Sequence, residues 1–236
     1  MMRKLYDTFV PGPVKSRIYN AHLYAFMRSF RDREVEFINA TPYVELSERH
    51  IANVKLVTDR IALLSLMPTG GIVAELGVWR GDFSEAILRI TRPTELHLID
   101  PWDLLEPGEK VNADLTQSRF EKEVASGRVV IHRGFSHQEL EKFSDGYFDW
   151  VYIDADHTYL STARELQLCR TKVRKGGIIA GHDYTKGDWA AMVRYGVVEA
   201  VNEFCETYGW EMIYLTNETH RYLSFALRET ESGNSA

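Results

Sequence analysis

The chain is 236 residues long, with 44% apolar and 12% aromatic side chains and a formal net charge of −6. That length and apolar content suit one sizeable domain with its own core, and the acidic balance argues against a basic nucleic-acid groove. Two cysteines, Cys169 and Cys205, with no CxxC or Cys/His zinc spacing, argue against a disulfide framework and for a reducing, cytoplasmic setting.

The first segment, "MMRKLYDTFVPGPVKSR", has no continuous apolar region, so no signal peptide is expected. No apolar run approaches the roughly 18 residues a membrane span needs. The richest basic run, "RSFRDRE" (28–34), is interrupted by acids and reads as a solvated helix face. Residues 1–68 read as a helical extension, a lid or a contact between copies of the chain. Both "YNAHLYAFMRSF" and "ERHIANVKLVTDRIALLSLM" place apolar residues at three-to-four spacing. "PTGG" (68–71) ends that pattern.

From there short β-like runs alternate with helical ones. "GIVAELG" is the first run, and "DFSEAILRI" is helical. "ELHLIDPW" is the second run, "RVVIHRG" (128–134) the third and "YFDWVYIDAD" the fourth. "TYLSTARELQLCRTKV" is helical, "GGIIAGHDY" is the fifth run, and "GVVEAVNEFCETYG" is helical. "WEMIYLTNETHRYLSFALRE" reads as two strands around a turn. The tail 229–236 reads as disordered. The alternation predicts an α/β domain over 69–228, a doubly wound, mostly parallel seven-stranded sheet, Rossmann-like, with one antiparallel strand near its edge. Ligands of such sheets sit beyond the carboxyl ends of the strands, at the switch point.

The loop "AELGVWRGDFS" (74–84) follows the first strand. A dinucleotide loop uses three glycines to bring backbone amides to a pyrophosphate. Here only Gly77 and Gly81 are present, Trp79 stands between them, and Glu75 puts a carboxylate at the loop's start. A carboxylate and an aromatic face suit a cationic ligand with ribose hydroxyls and no phosphate, such as the sulfonium S-adenosylmethionine. An ordinary tight turn with a helix cap at Asp82 or Ser84 is the plainer alternative. Asp100, ending the second run 25 residues after Glu75, is placed to accept from ribose hydroxyls, or to cap a turn.

With "ELGVWRGDFS", Asp100, "FDWVYIDADHTY" and "KGGIIAGHDY" on the page, the segment from about 70 to 228 resembles class I S-adenosylmethionine-dependent methyltransferases. "IDADHTY…GGIIAGHDY" is similar to small-molecule O-methyltransferases acting on natural products, sugars or catechols. The resemblance implies cofactor contacts from Glu75, Gly77, Trp79, Gly81, Ser84, Asp100 and Trp102. It also implies adenine contacts from Phe135 and Ser136, with core packing as the alternative for Phe135. Asp154 and Asp156 would add to the cofactor's ribose or amino group, unless Asp156 caps the helix near Thr158.

Asp154, His182 and Asp183 stand at metal-ligand positions of metal-dependent relatives, which usually carry a carboxylate where this chain has His182. One imidazole shifts the preference from Mg²⁺ toward Mn²⁺, Fe²⁺ or Zn²⁺. His157 matches a general base of some sugar-modifying relatives, and its ordinary pKa suits proton removal; Asp154 joins it as a catalytic residue. His132, His137 and His220 read as structural or solvated.

The implied reaction is methyl transfer from adenosylmethionine to a hydroxyl of a small molecule, aided by a divalent cation, the histidine, or both. Acceptor contacts are expected from the N-terminal helices and the segments 103–122 and 184–196. No nucleic acid or membrane partner is expected; association between copies through the N-terminal helices is. Three alternatives stand beside this reading: a hydroxylase-type protein, a non-catalytic adenosylmethionine-binding accessory of a biosynthetic pathway, and a nicotinamide dehydrogenase, which Glu75 and the missing glycine disfavour.

Overall fold

The computed structural model describes residues 12–102, 110–188, 190–219 and 222–230. The chain divides into two compact units, 1–43 and 44–236. Among the described residues of the first, a helix, α1 (Gly12–Ala40), runs for 29 residues. The predicted tail 231–236 and His220 lie outside the described residues.

The second unit opens differently from the sequence expectation. The segment 48–67 is not one helix. It holds a 3-10 turn (Glu48–His50), a short strand β1 (Lys55–Val57) and a five-residue helix α2 (Arg60–Leu64) capped by Asp59, whose Oδ1 accepts from Ala62 N. β1 pairs in parallel with a strand more than 150 residues later, Lys55 facing Tyr214 and Val57 facing Thr216. That tertiary pairing overrides the local helical spacing. The second compact unit begins at Val44, and β1 adds a strand to the sheet.

The remaining elements follow in the predicted alternation. They are β2 (Ile72–Leu76), α3 (Asp82–Ile90), β3 (Glu95–Asp100), α4 (Lys110–Arg119), α5 (Glu121–Ala125), β4 (Val129–Arg133), α6 (Ser136–Leu140), β5 (Phe148–Ile153), α7 (Tyr159–Lys172), β6 (Val173–Gly181), α8 (Val197–Tyr208), β9 (Trp210–Thr216) and β10 (Phe225–Glu229). Between β6 and α8 lies a small hairpin, β7 (Gly187–Asp188) with β8 (Val193–Arg194). Glu229, expected in the tail, ends the last strand.

The sheet order is β1-β9-β10-β6-β5-β2-β3-β4. Only β10 runs against the rest, antiparallel to both β6 and β9. The fold is thus the expected Rossmann-like α/β sheet, with eight strands among the described residues. Both faces are covered. Along β5, Trp150 and Tyr152 enter one core with Val73, Phe83, Leu96 and Leu98; Val151 and Ile153 enter the other with Leu76, Leu140, Leu166 and Phe204. A parallel strand buried on both sides reads as a continuous apolar run for this reason. The chain leaves β2 toward β3 and β4, then returns to β5 on the other side of β2. That reversal puts the switch point, and its crevice, between the carboxyl ends of β2 and β5.

Away from the crevice, His97 on β3 and His132 on β4 meet with Nδ1 and Nε2 2.9 Å apart. Glu95 Oε1 lies 3.3 Å from His97, and Glu139 Oε2 3.8 Å from His132. Phe143, Tyr147 and Phe148 pack their rings around His97. Burial, with His132 adding to it, pushes His97 down to about 4; burial also lowers His132, against Glu139, which raises it. A lowered histidine stabilises the fold above its unfolded pKa near 6.5, and the contribution is lost as pH falls through the folded value. The buried carboxyls with raised values act in the opposite sense, so the difference between wild type and His97→Asn isolates the pair. The stability of wild type relative to the variant is expected to fall by about 3 kcal/mol between pH 8 and pH 4 in urea melts. A difference independent of pH contradicts this account.

Candidate active site

The loop after β2 is held from below by the loop after β5. Gly77 N donates to Ile99 O at 2.9 Å, and Asp154 N donates to Leu76 O at 2.7 Å. Gly77 has φ +84°, and a Cβ there would stand 2.0 Å from the Asp154 carbonyl oxygen. Only glycine fits that close approach. Trp79 also adopts a left-handed φ of +52°. The N-cap of α3 is Gly81, at φ +77°, rather than Asp82 or Ser84.

Asp100 closes this loop. Its Oδ2 accepts from Val78 N at 2.7 Å and Trp79 N at 3.0 Å, and its Oδ1 accepts from Trp102 N at 2.7 Å. The amides that a dinucleotide loop would offer to pyrophosphate are taken by a carboxylate, which repels phosphate as well. Both lone-pair sites of Oδ2 are thus engaged, and Oδ1 keeps a second one for a ribose hydroxyl. Trp102 is 2% exposed, and its indole N–H donates to Trp79 O at 2.8 Å, so its visible role is to pack and hold the loop. The Trp79 ring is 55% exposed, and the cation over it is Arg80, 4.4 Å from the ring centre. From the other side, Thr116 of α4 donates to Trp79 O at 3.2 Å. Of the segment 103–122, residues 103–109 lie outside the described residues.

Glu75 is buried and accepts from the buried Ser84 hydroxyl. That hydroxyl faces Glu75 rather than the crevice as expected. Burial pushes Glu75 up to about 8, opposed by the Ser84 bond and Arg60 and reinforced by Asp154.

The ends of β5 and β6 bring together three groups. His157 Nδ1 lies 3.1 Å from Asp183 Oδ2. Ligating atoms of Asp154, His157 and Asp183 all lie within 4.8 Å of one another. Of the residues expected at a metal, Asp154 and Asp183 belong to this close group together with His157, and His182 is not part of it. His182 Nδ1 instead lies 3.0 Å from Ser224 Oγ, which is 3.0 Å from the Tyr152 hydroxyl. Ser224, just before β10, thus engages His182, while His157 is the histidine paired with Asp183.

Asp183 has a left-handed φ of +58°, unusual for a residue with a side chain. Its Oδ1 is buried with no hydrogen-bond partner among the described residues. Burial pushes Asp183 up to about 6 and Asp154 up to about 7; His157 and Arg60, respectively, pull them back. Tyr195, from the expected acceptor segment 184–196, packs its ring 4.6 Å from His157. The hairpin carrying it is tied down where Arg194 reaches the buried Glu199 at 2.6 Å. Trp189 lies outside the described residues.

Asp156 is exposed and accepts from Thr158 N at 3.0 Å and Ser161 Oγ at 2.7 Å, while the N-cap of α7 is Thr158, whose side chain accepts from Ser161 N. Phe135 precedes α6 and stacks on His137, 5.9 Å between centres. The Ser136 hydroxyl donates to Glu165, a buried carboxyl that burial lifts to about 7.

One charged group went unnoticed in the sequence. Arg60, from the region read as an extension, places Nη1 3.6 Å from Asp154 Oδ2. The sequence signal is the cap Asp59 just before it, which starts a helix at that point.

Residues 74–184 match the family model described as a methyltransferase domain. No curated protein matches the chain. Among solved structures, a Clostridium thermocellum protein provisionally described as an rRNA methylase is similar at 13% identity and TM-score 0.55, over 74% of this chain and 99% of its own. A SAM-dependent methyltransferase from Aquifex aeolicus is similar at 11% identity and TM-score 0.53, over 71% and 87%. The [4+2]-cyclase SpnF is similar at 12% identity and TM-score 0.54, over 72% and 79%. Likeness at such identities shows the fold and leaves the reaction to the site. No helix among the described residues is long and apolar enough to cross a membrane. The middle of the chain is thus similar to a methyltransferase domain, and the fold is one it shares with solved methyltransferases.

Proposed function

We propose that this chain transfers the methyl group of S-adenosylmethionine to a hydroxyl of a small molecule, with His157 as the base. The observation that carries this reading is the His157–Asp183 pair beside Asp154, at the ends of neighbouring strands next to the crevice. With Nδ1–H donated to Asp183, Nε2 of His157 is the proton acceptor. The acceptor oxygen attacks the sulfonium methyl in line. The carbon–sulfur bond breaks, its electron pair stays on sulfur, and S-adenosylhomocysteine leaves. The hydroxyl proton passes to His157. Sulfonium is a strong electrophile, so alignment supplies much of the rate, of the order of 7–11 kcal/mol where it is complete. Glu75, Gly77 and Asp100 would hold the cofactor, with Phe135 and Ser136 at its adenine end.

A divalent cation fits the same three groups as a second reading. The close set of ligating atoms and the unpartnered Asp183 Oδ1 favour it. Held by Asp154 and Asp183, such an ion would lower the pKa of a bound hydroxyl. His157 would then be a ligand and not the base.

A small acceptor is supported by the net charge of −6 and by Tyr195 and the tied hairpin beside the site. The test is transfer of labelled methyl from adenosylmethionine into a panel of catechols, sugars and other hydroxylated small molecules, with and without chelator. Product that forms equally in chelator supports the histidine base. Activity that returns only with added metal supports the second reading, and transfer into RNA alone contradicts both.

A further inference from the structure

Arg60 is held firmly and offers donors that nothing described accepts. Its backbone N–H donates to Glu218 Oε1 at 2.9 Å, at the start of the capped helix α2. Its Cζ stands 4.6 Å from the centre of the Phe83 ring, which fixes the plane of the guanidinium. The side chain is 19% exposed. Its ion pair with Asp154, at 3.6 Å, is too long for a hydrogen bond. The guanidinium donates no hydrogen bond to another described residue. A part-exposed fork of N–H groups with no hydrogen-bond acceptor among the described residues suits an anionic, bidentate partner.

The surroundings narrow the choice of partner. Arg60 acts electrostatically on Glu75, Asp154 and Asp183, the three carboxyl groups around the crevice. The amino-acid end of adenosylmethionine carries an ammonium and a carboxylate beside the sulfonium. Carboxyl groups suit the ammonium and the sulfonium, and they repel the carboxylate. Arg60 supplies the opposite charge within the same cluster.

We propose that Arg60 binds the α-carboxylate of adenosylmethionine, a cofactor contact supplied by the segment ahead of the matched domain. This rests on the adenosylmethionine reading above. Two ligands separate the two claims in calorimetry: S-adenosylhomocysteine, and 5′-methylthioadenosine, which keeps the adenosine thioether and lacks the amino-acid end. Arg60→Gln should weaken S-adenosylhomocysteine by about 10- to 100-fold, the range of a hydrogen bond to a charged group, and leave methylthioadenosine unchanged. Arg60→Lys keeps the charge beside Asp154 and guards against a folding defect; it should lose about 3- to 10-fold toward S-adenosylhomocysteine alone. Equal losses for both ligands, or no loss for S-adenosylhomocysteine, would overturn the Arg60 assignment. A wild-type protein that binds neither ligand overturns the adenosylmethionine reading itself.

Discussion

Replacing His157 by alanine is expected to lower kcat for methyl transfer by about 10²–10⁴-fold, the usual contribution of a positioned base. Affinity for S-adenosylhomocysteine should stay within about twofold, because the product has no proton to give and makes no demand on the imidazole. His157 is half-covered, paired with Asp183 and packed on Tyr195, so its ring is oriented before any substrate arrives. Asp183→Asn should fall in the same direction by less, since the amide still accepts from Nδ1–H while the charge that stabilises an imidazolium is gone. Steady-state kinetics with a fixed acceptor checks both. A His157→Ala variant that turns over at the wild-type rate removes the base from the mechanism. Equal losses in kcat and in cofactor affinity would make His157 a structural residue.

The second large effect is on folding. Gly77→Ala places a methyl group 2.0 Å from a carbonyl oxygen of the neighbouring loop, at a φ of +84°. Gly70 gives the comparison, because it has φ +74° and open space around it. Gly70→Ala carries only the left-handed strain, about 1–2 kcal/mol. Gly77→Ala adds the displacement of one backbone by another, for a total of about 3–5 kcal/mol. Urea unfolding of the two variants measures the difference. Because the same loop lines the crevice, Gly77→Ala should also lose cofactor affinity, and Gly70→Ala should not. Similar costs for the two variants would contradict the close approach of the β2 and β5 loops.

Much of the sheet was legible because its central strands are buried on both faces and helices such as α3 and α8 are followed by Pro93 and Gly209. "FDWVYI" reads as a strand without any tertiary knowledge, since both of its faces need a core. The stretch from 48 to 67 was not legible. Its apolar residues fall at helical spacing, and only the far-off edge of β9 turns Lys55–Val57 into a strand. Arg60 was missed for the same reason, because its reach to Asp154 exists only once α2 docks.

At the site, sequence spacing put Asp154, His157, His182 and Asp183 after adjacent strands, and the structure gathers them there. It could not say which histidine would face the acids. His182 is engaged by Ser224, about 40 residues further on and just before β10, a contact that exists only in the folded chain. Asp100 was legible as a carboxylate at the end of a strand, and its hold on Val78 and Trp79 was not, because the loop must first fold back over it.

Calorimetric titration of the wild-type chain with S-adenosylmethionine, beside a parallel titration with NAD, tests the central claim most directly. The account predicts saturable one-to-one binding of adenosylmethionine and no binding of NAD, whose pyrophosphate meets the Asp100 carboxylate where dinucleotide loops offer free amides. Binding of NAD with no binding of adenosylmethionine would contradict it.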